Sequence, residues 1–248
     1  MMNIGIDLLK NPKEVLSTLC TKHGYPLIKI GSHQLCKVCA KENLEQTNRE
    51  HKEELQQKLL QHRIHSSGLN QRYLECGFSN YSASTIEQQQ VVECCQNFTQ
   101  QLLNGSKSNL ILYGTPGTGK THLGSAIIRN VIYKTKMSSR YITSAQIAKT
   151  IMNSWSIEDQ SEEQWIQFFS DFDLLVLDEY GLHDRHSARL ELVHKVLYKR
   201  YDMMKPTMII SNFSLENLER DLGIRLWSRL HENQLITVPC YWSDHRMK

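Results

Sequence analysis

Gly114-Thr-Pro-Gly-Thr-Gly-Lys-Thr121 closes a short apolar run, Asn109-Leu-Ile-Leu-Tyr113, and opens a stretch of helical spacing from Thr121 to Lys134. It meets the pattern G-x-x-x-x-G-K-[ST] at every fixed position, in the strand-to-helix context that pattern requires. Gly114, Thr115, Pro116, Gly117, Thr118 and Gly119 form a loop whose backbone must curl until several N–H groups converge on phosphate oxygens. The following helix N-terminus adds partial positive charge. Lys120 offers a cation to the β- and γ-phosphates of ATP, and Thr121 a hydroxyl to Mg²⁺.

Working outward, a phosphate loop of this kind needs an acid on a neighbouring strand. Leu174-Leu-Val-Leu-Asp-Glu179 supplies one at the end of an apolar run. Asp178 is the candidate to hold Mg²⁺, and Glu179 to polarise the attacking water as a general base. Thr207-Met-Ile-Ile-Ser-Asn212 is a further apolar run ending in polar residues, and Asn212 is placed to bond the γ-phosphate and that water. Short strands are also read at Arg140–Thr143 and Leu235–Val238. Helices are read at Ala145–Asn153, Glu162–Ser170, Ala188–Tyr201, Leu215–Leu222 and Ile224–His231. Continuous apolar strands alternating with helices predict an α/β fold with a parallel sheet between helices.

The 248 residues suit one domain of this kind and a smaller module. No run of about 18 apolar residues exists, so nothing is expected to span a membrane. Met1 to Lys10 lacks a signal-peptide pattern, and seven cysteines suit a reducing compartment, so a cytoplasmic location is expected. Residues 1–70 carry ten Lys/Arg against seven Asp/Glu, and residues 71–248 nineteen of each, which leaves the larger part neutral.

Near the N-terminus, Cys20-x₂-His23 and Cys36-x₂-Cys39 are separated by twelve residues. Two close-spaced pairs can converge on one tetrahedral Zn²⁺. Zinc would order a segment too short to bury a full core, with Tyr25, Leu27, Ile28, Ile30 and Leu35 as a small apolar filling. His33 is an alternative ligand. Cys76, Cys94, Cys95 and Cys240 read as buried apolar residues. Lys41 to His65 lacks Pro and Gly and reads as a linker helix with a thin stripe of Leu44, Leu55, Leu59, Leu60 and Ile64, either solvated or docking a partner. The expected division is a zinc module over residues 1–40, a helical linker over 41–69 and an ATPase domain over 70–248.

The order of phosphate loop, Asp-Glu strand and Ser-Asn strand end resembles the AAA+ ATPases. The loop continued into His122-Leu123 is similar to that of the DnaC/DnaI helicase loaders and the DnaA initiators. Leu222-Gly-Ile-Arg-Leu-Trp-Ser-Arg229 resembles their arginine-finger box, and Tyr241-Trp-Ser-Asp-His-Arg246 the C-terminal end of DnaC. The resemblance covers roughly residues 70–248. It implies His122 beside the nucleotide, Arg229 or else Arg225 as a finger reaching a neighbouring subunit's γ-phosphate, and Arg246 as an arginine sensor within its own subunit. Only nine residues follow Pro239, so the helical lid of many AAA+ proteins is not expected. The Cys-rich N-terminus departs from the helical one of DnaC.

The implied function is ATP-dependent loading of a DnaB-type replicative helicase onto single-stranded DNA by subunits associated in a spiral or ring. An IstB-like transposition helper and a non-hydrolysing ATP-switched adaptor are the alternatives, and no acceptor pocket for a small-molecule kinase is evident. For the DNA strand, Lys134, Lys136, Arg140, Lys149, Trp155 and the Tyr141–Ser144 strand end are the weak candidates. Trp165, Phe168, Phe169 and Phe172 read as core. Lys195, Lys199 and Arg200 read as a solvated basic face.

Overall fold

The structure, a computed structural model, describes residues 14–182 and 187–244. These divide into two units at the boundary between Leu59 and Leu60.

In the first unit, β1 (Glu14–Leu19), β2 (Pro26–Ile30) and β3 (His33–Leu35) form an antiparallel meander. It is followed by a 30-residue helix, α1 (Lys37–Ser66), whose last residues belong to the second unit. The apolar filling is thin: Ile28 and Cys36 are buried, whereas Tyr25, expected among them, is 59% exposed. Leu44, Leu55 and Leu59 also face solvent. A sheet this small leaves a metal or a partner to supply the missing stabilisation.

The second unit contains α2 (Ile86–Leu103), β4 (Asn109–Gly114), α3 (Lys120–Lys134), β5 (Ser139–Thr143), α4 (Ser144–Ser154), α5 (Glu162–Asp171), β6 (Leu174–Tyr180), α6 (Ser187–Asp202), β7 (Thr207–Ser211), α7 (Leu215–Glu232) and β8 (Leu235–Cys240). The five strands are parallel in the order β5-β6-β7-β4-β8. Leu110, Leu112, Leu174, Val176, Met208 and Ile210 pack against α2 and α3 on one face. Their alternates Ile111, Leu175, Leu177 and Ile209 pack against α4, α5, α6 and α7 on the other. A one-residue slip would exchange the two sets, so two-sided burial fixes the register. The alternation also sets the site: Leu174 and Val176 face α3, and Asp178, next in that series, meets the first turn of α3.

The strands and helices expected from residue 109 onward all form. The two helices expected on either side of Gly223 join as α7 with a kink there (φ 74°, ψ 152°). Helix α2 was not expected, because its sequence is mostly polar. Its signals are present nonetheless: a Thr85/Gln88 capping box, and Val91, Cys95, Phe98 and Leu102 on one buried face. No helix follows β8 among the described residues. No helix among them is long and apolar enough to cross a membrane. Cys95 and Cys240 are buried as expected, but Cys76 and Cys94 are only half-buried.

Arg200 corrects the expected solvated face. Its neighbours Lys195 and Lys199 do pair with Glu162 and Glu163 at the surface. Arg200 itself is fully buried. Its guanidinium donates to the carbonyls of Phe169, Ser170, Phe172 and Pro206 and to Thr207 Oγ1, tying the end of α5 to the start of β7. Burial pushes it down to about 9, still protonated at neutral pH. Arg200→Met keeps the stem but strands these acceptors, and should cost about 3 kcal/mol in urea unfolding. An unchanged midpoint would show that the carbonyls find water instead.

Candidate functional site

The phosphate loop lies between the C-terminal end of β4 and the start of α3, where the strand order leaves a crevice between β4 and its neighbours. Gly119, at the N-cap of α3, has φ 87°, and a Cβ there would stand 2.6 Å from the Tyr81 ring. The loop is held from outside. Thr115 N–H donates to Cys240 O at 3.1 Å. The Thr118 carbonyl accepts from Tyr81 Oη at 2.8 Å and from Trp242 Nε1 at 3.1 Å. The C=O of Thr118 and the N–H of Gly119 share one planar trans peptide, so two donors on the oxygen also orient the N–H, away from them. His122 Nε2 lies 2.8 Å from Gly77 O, and its ring meets Tyr81 edge-on at 5.4 Å, which ties residues 77–81 to α3.

Lys120 is almost fully buried, and its Nζ donates to Gly114 O at 3.0 Å and Thr115 O at 2.6 Å. Thr121 Oγ1 donates to Asp178 Oδ2 at 2.8 Å. Asp178 is 2% exposed, and its Oδ1 accepts the Glu179 N–H at 2.6 Å. A buried carboxylate beside a hydroxyl is a hard oxygen set of the kind Mg²⁺ takes together with phosphate oxygens and water, so these residues fit that ion.

Opposite the loop, the β6–β7 register shifts between Leu177 and Tyr180: Asp178 and Glu179 occupy the space of one residue. Glu179 adopts φ 54° there and is exposed. A left-handed non-glycine residue costs about 1–2 kcal/mol. Such strain persists where the surrounding structure over-determines it, and it clusters at functional sites. Asn212 is exposed at the end of β7, next to Ser211, whose Oγ donates to Tyr180 O at 2.8 Å.

These groups line a cavity of about 370 Å³, within the range of small-molecule sites. Pro116 to His122, Asp178, Glu179 and Asn212 all lie on its wall. So do Arg72 and Tyr73, which the sequence reading did not single out, and Cys76, which it read as a buried apolar residue. They sit in and beside a one-turn helix, Gln71–Tyr73, too short to leave a periodic signal. Arg225 and Arg229 do not line this cavity. Arg225 is exposed on α7. Arg229 lies over the rings of Tyr198 and Tyr201 at 5.0 and 4.9 Å, with Asp202 Oδ1 3.9 Å away. Arg246 lies outside the described residues.

Of the DNA candidates, Lys134, Lys136 and Lys149 are exposed, and Trp155 is 57% exposed with Nε1 donating to Glu162. Arg140 is instead engaged internally, donating to Ser66 O at 2.8 Å. Tyr141 is buried, with its hydroxyl on Asp178. In the expected aromatic core, Phe169 is buried, but Phe168 is 43% exposed.

The second cluster lies in the first unit. The turn after β1 carries Cys20 and His23, closed by Cys20 N–H on Tyr25 O and Gly24 N–H on Cys20 O. Cys36 immediately precedes α1, and Cys39 lies in its first turn. One ligand atom from each of the four lies within 4.8 Å of every other. The Cys20 and Cys39 sulfurs are 3.7 Å apart, and His23 Nδ1 is 3.9, 3.9 and 3.3 Å from the sulfurs of Cys20, Cys36 and Cys39. Tetrahedral Zn²⁺ with Zn–S near 2.3 Å has S–S edges of about 3.8 Å, so the three thiols and one imidazole fit it. His33 lies outside the cluster. Glu42 Oε1 sits 3.2 Å from His23 Nε2, the carboxylate partner that leaves Nδ1 free as a ligand. The backbone N–H groups of His23 and Lys22 hold the Cys20 thiol down to about 6, while burial and the adjoining thiols push Cys39 up to about 11. At neutral pH the set therefore keeps a proton that a bound metal would expel.

Against known proteins, the model of the family described as "IstB-like ATP binding protein" matches residues 33–226. The replicative helicase loader DnaC of Escherichia coli (strain K12) is 27% identical over 100% of this chain and 98% of its own length. Among solved structures, the DnaC helicase loader superposes with a TM-score of 0.60 at 21% identity, covering 68% of this chain and 99% of that one. AMPPCP-bound DnaA from Aquifex aeolicus superposes with a TM-score of 0.55 at 22% identity, over 68% of this chain and 51% of that one. These structural likenesses establish the AAA+ fold of the larger unit.

Tyr81→Phe removes one donor from the Thr118 carbonyl and leaves the ring that packs on Gly119. Nucleotide affinity should fall about fivefold, roughly 1 kcal/mol, in a titration with a fluorescent ATP analogue. Unchanged affinity would mean that Trp242 Nε1 alone holds the peptide.

Proposed function

The chain belongs to the IstB-like ATP binding protein family, and from that premise we propose that it is an ATPase that loads a DnaB-type replicative helicase onto single-stranded DNA. The similarity to replicative helicase loaders runs the whole length of the chain, and this observation carries the reading. A transposition helper is the alternative that the family's name keeps open.

In this reading the loop N–H groups and Lys120 bind the triphosphate, and phosphate oxygens displace the Gly114 and Thr115 carbonyls from Nζ. Thr121 and Asp178 would hold Mg²⁺, which would supply neutralising charge to the phosphates. Glu179 accepts the proton of the attacking water, whose oxygen bonds to the γ-phosphorus as the bridging oxygen leaves with ADP. Asn212 orients that water. Arg229 acts on the cavity of a neighbouring subunit, because on its own subunit it lies over tyrosines away from the cavity. Hydrolysis then depends on assembly into a spiral or ring, a contribution worth about 10³–10⁵ in rate for fingers of this type. Arg225 is the second choice, and Arg246 a sensor in the same subunit.

Residues 1–40 serve as the zinc-ordered partner module and residues 41–69 as the helix that presents it, with Leu44, Leu55 and Leu59 the exposed anchors for the helicase. The exposed Lys149 and Trp155 remain the side chains offered to a DNA strand. The site of action is the cytoplasm.

Co-purification with a replicative helicase, with and without ATP, tests the reading; capture of a transposase instead would favour the alternative. Glu179→Gln should keep ATP binding and lose about 10²–10⁴ of turnover. Arg229→Ala should lose turnover while the single subunit binds ATP as before; full turnover would place the finger elsewhere. Metal analysis should find about one zinc per chain, and its removal by chelator should unfold the first unit in circular dichroism while nucleotide binding by the second persists. A metal-free chain with the same spectrum would rule the zinc site out.

A further inference from the structure

Tyr141 makes two connections that nucleotide binding and hydrolysis, as set out above, leave unused. Its ring is buried, and Oη donates to Asp178 Oδ2 at 2.5 Å. Thr121 Oγ1 donates to the same oxygen. The other oxygen is taken by the Glu179 N–H, so the carboxylate is bonded on both sides. Tyr141 is the neutral donor in this set that lies outside both the phosphate loop and the β6 bulge. It therefore holds the orientation of Asp178 without competing for a cation.

The main chain of the same residue faces elsewhere. β5 is an edge strand of the sheet, and the residues that end α1 cover its open side. Tyr141 N–H donates to Ser67 O at 2.7 Å. Arg140 Nη1 donates to Ser66 O at 2.8 Å. Gly68 has φ 74°, and a Cβ there would stand 2.6 Å from Tyr141 O, so the close approach depends on glycine. The segment that ends α1, Ser66 and Ser67, is thus bonded to β5 at Arg140 and at Tyr141, whose hydroxyl holds Asp178 together with that of Thr121.

We propose that Tyr141 is a positioning residue for Mg²⁺, through which the C-terminal turn of α1 sets the orientation of Asp178. This rests on reading Asp178 as the ligand of nucleotide-bound Mg²⁺. A pull on that turn shifts the β5 backbone at Tyr141, moves Oη and releases the carboxylate. Metal affinity, and with it the ATP-bound state, then responds to whatever engages the helix.

The test is Mg²⁺ titration of fluorescent ATP-analogue binding to the full chain. In Tyr141→Phe, the Mg²⁺ needed for half-maximal binding should rise about tenfold, the scale for loss of an outer partner of a metal ligand, while binding in EDTA stays unchanged. Arg140→Met should raise it by a smaller factor in the wild-type background and by none in the Tyr141→Phe background. An unaltered Mg²⁺ requirement in Tyr141→Phe, or equal loss with EDTA, overturns the positioning role. An Arg140→Met effect that persists undiminished without the hydroxyl overturns the route through Tyr141. Asp178→Ala should abolish the Mg²⁺ dependence. If it does not, the fault lies with Asp178 as ligand, and the experiment separates the two failures. Far-ultraviolet circular dichroism confirms that each variant is folded before it is titrated.

Discussion

The hydrogen bond from Thr121 to Asp178 joins two segments 57 residues apart, and the rest of the nucleotide site is arranged around it. It requires β6 to present Asp178 on the α3 face, which follows from the alternation Leu174, Val176, Asp178. It requires α3 to begin at the end of β4, which the curled loop arranges. The β6 bulge then turns Glu179 from the sheet to the cavity at the cost of a left-handed backbone. Without that bond the carboxylate would be a buried charge lacking one of its donors.

The loop depends on contacts distant in sequence. Tyr81, from the segment before α2, and Trp242, after β8, meet on the Thr118 carbonyl. Tyr141 donates to the same Asp178 oxygen as Thr121 does. A backbone that must direct several N–H groups inward has its carbonyls turned outward, and those outward groups need donors. The nucleotide cavity is therefore enclosed by residues that satisfy the outside of the loop as well as by those that face the ligand.

The first unit follows a different logic. Its meander buries little apolar surface, and its three sulfurs and one imidazole nitrogen converge where one ion could tie it together, with Glu42 beside the imidazole. Metal binding would release a proton and make folding of this unit conditional on the ion. The larger unit has two apolar layers around a parallel sheet and needs no such support.

The phosphate loop, the Asp-Glu strand end and the paired Cys and His spacings were legible in the linear sequence, because each is a local pattern whose chemistry follows from a few adjacent residues. So was the parallel sheet, because strands buried on both faces read as unbroken apolar runs. Helix α2 was obscured by its Gln-rich surface, although its capping box and its buried apolar face of Val91, Cys95, Phe98 and Leu102 carried the signal. Arg200 read as a surface cation because its acceptors are backbone carbonyls, which leave no mark in sequence. Arg72, the Tyr81 and Trp242 clamp, and the link from Ser67 through Tyr141 to Asp178 were decided by the tertiary structure alone. Each joins groups brought together only once the sheet has closed, and hydrogen bonds between such segments have no period in the chain.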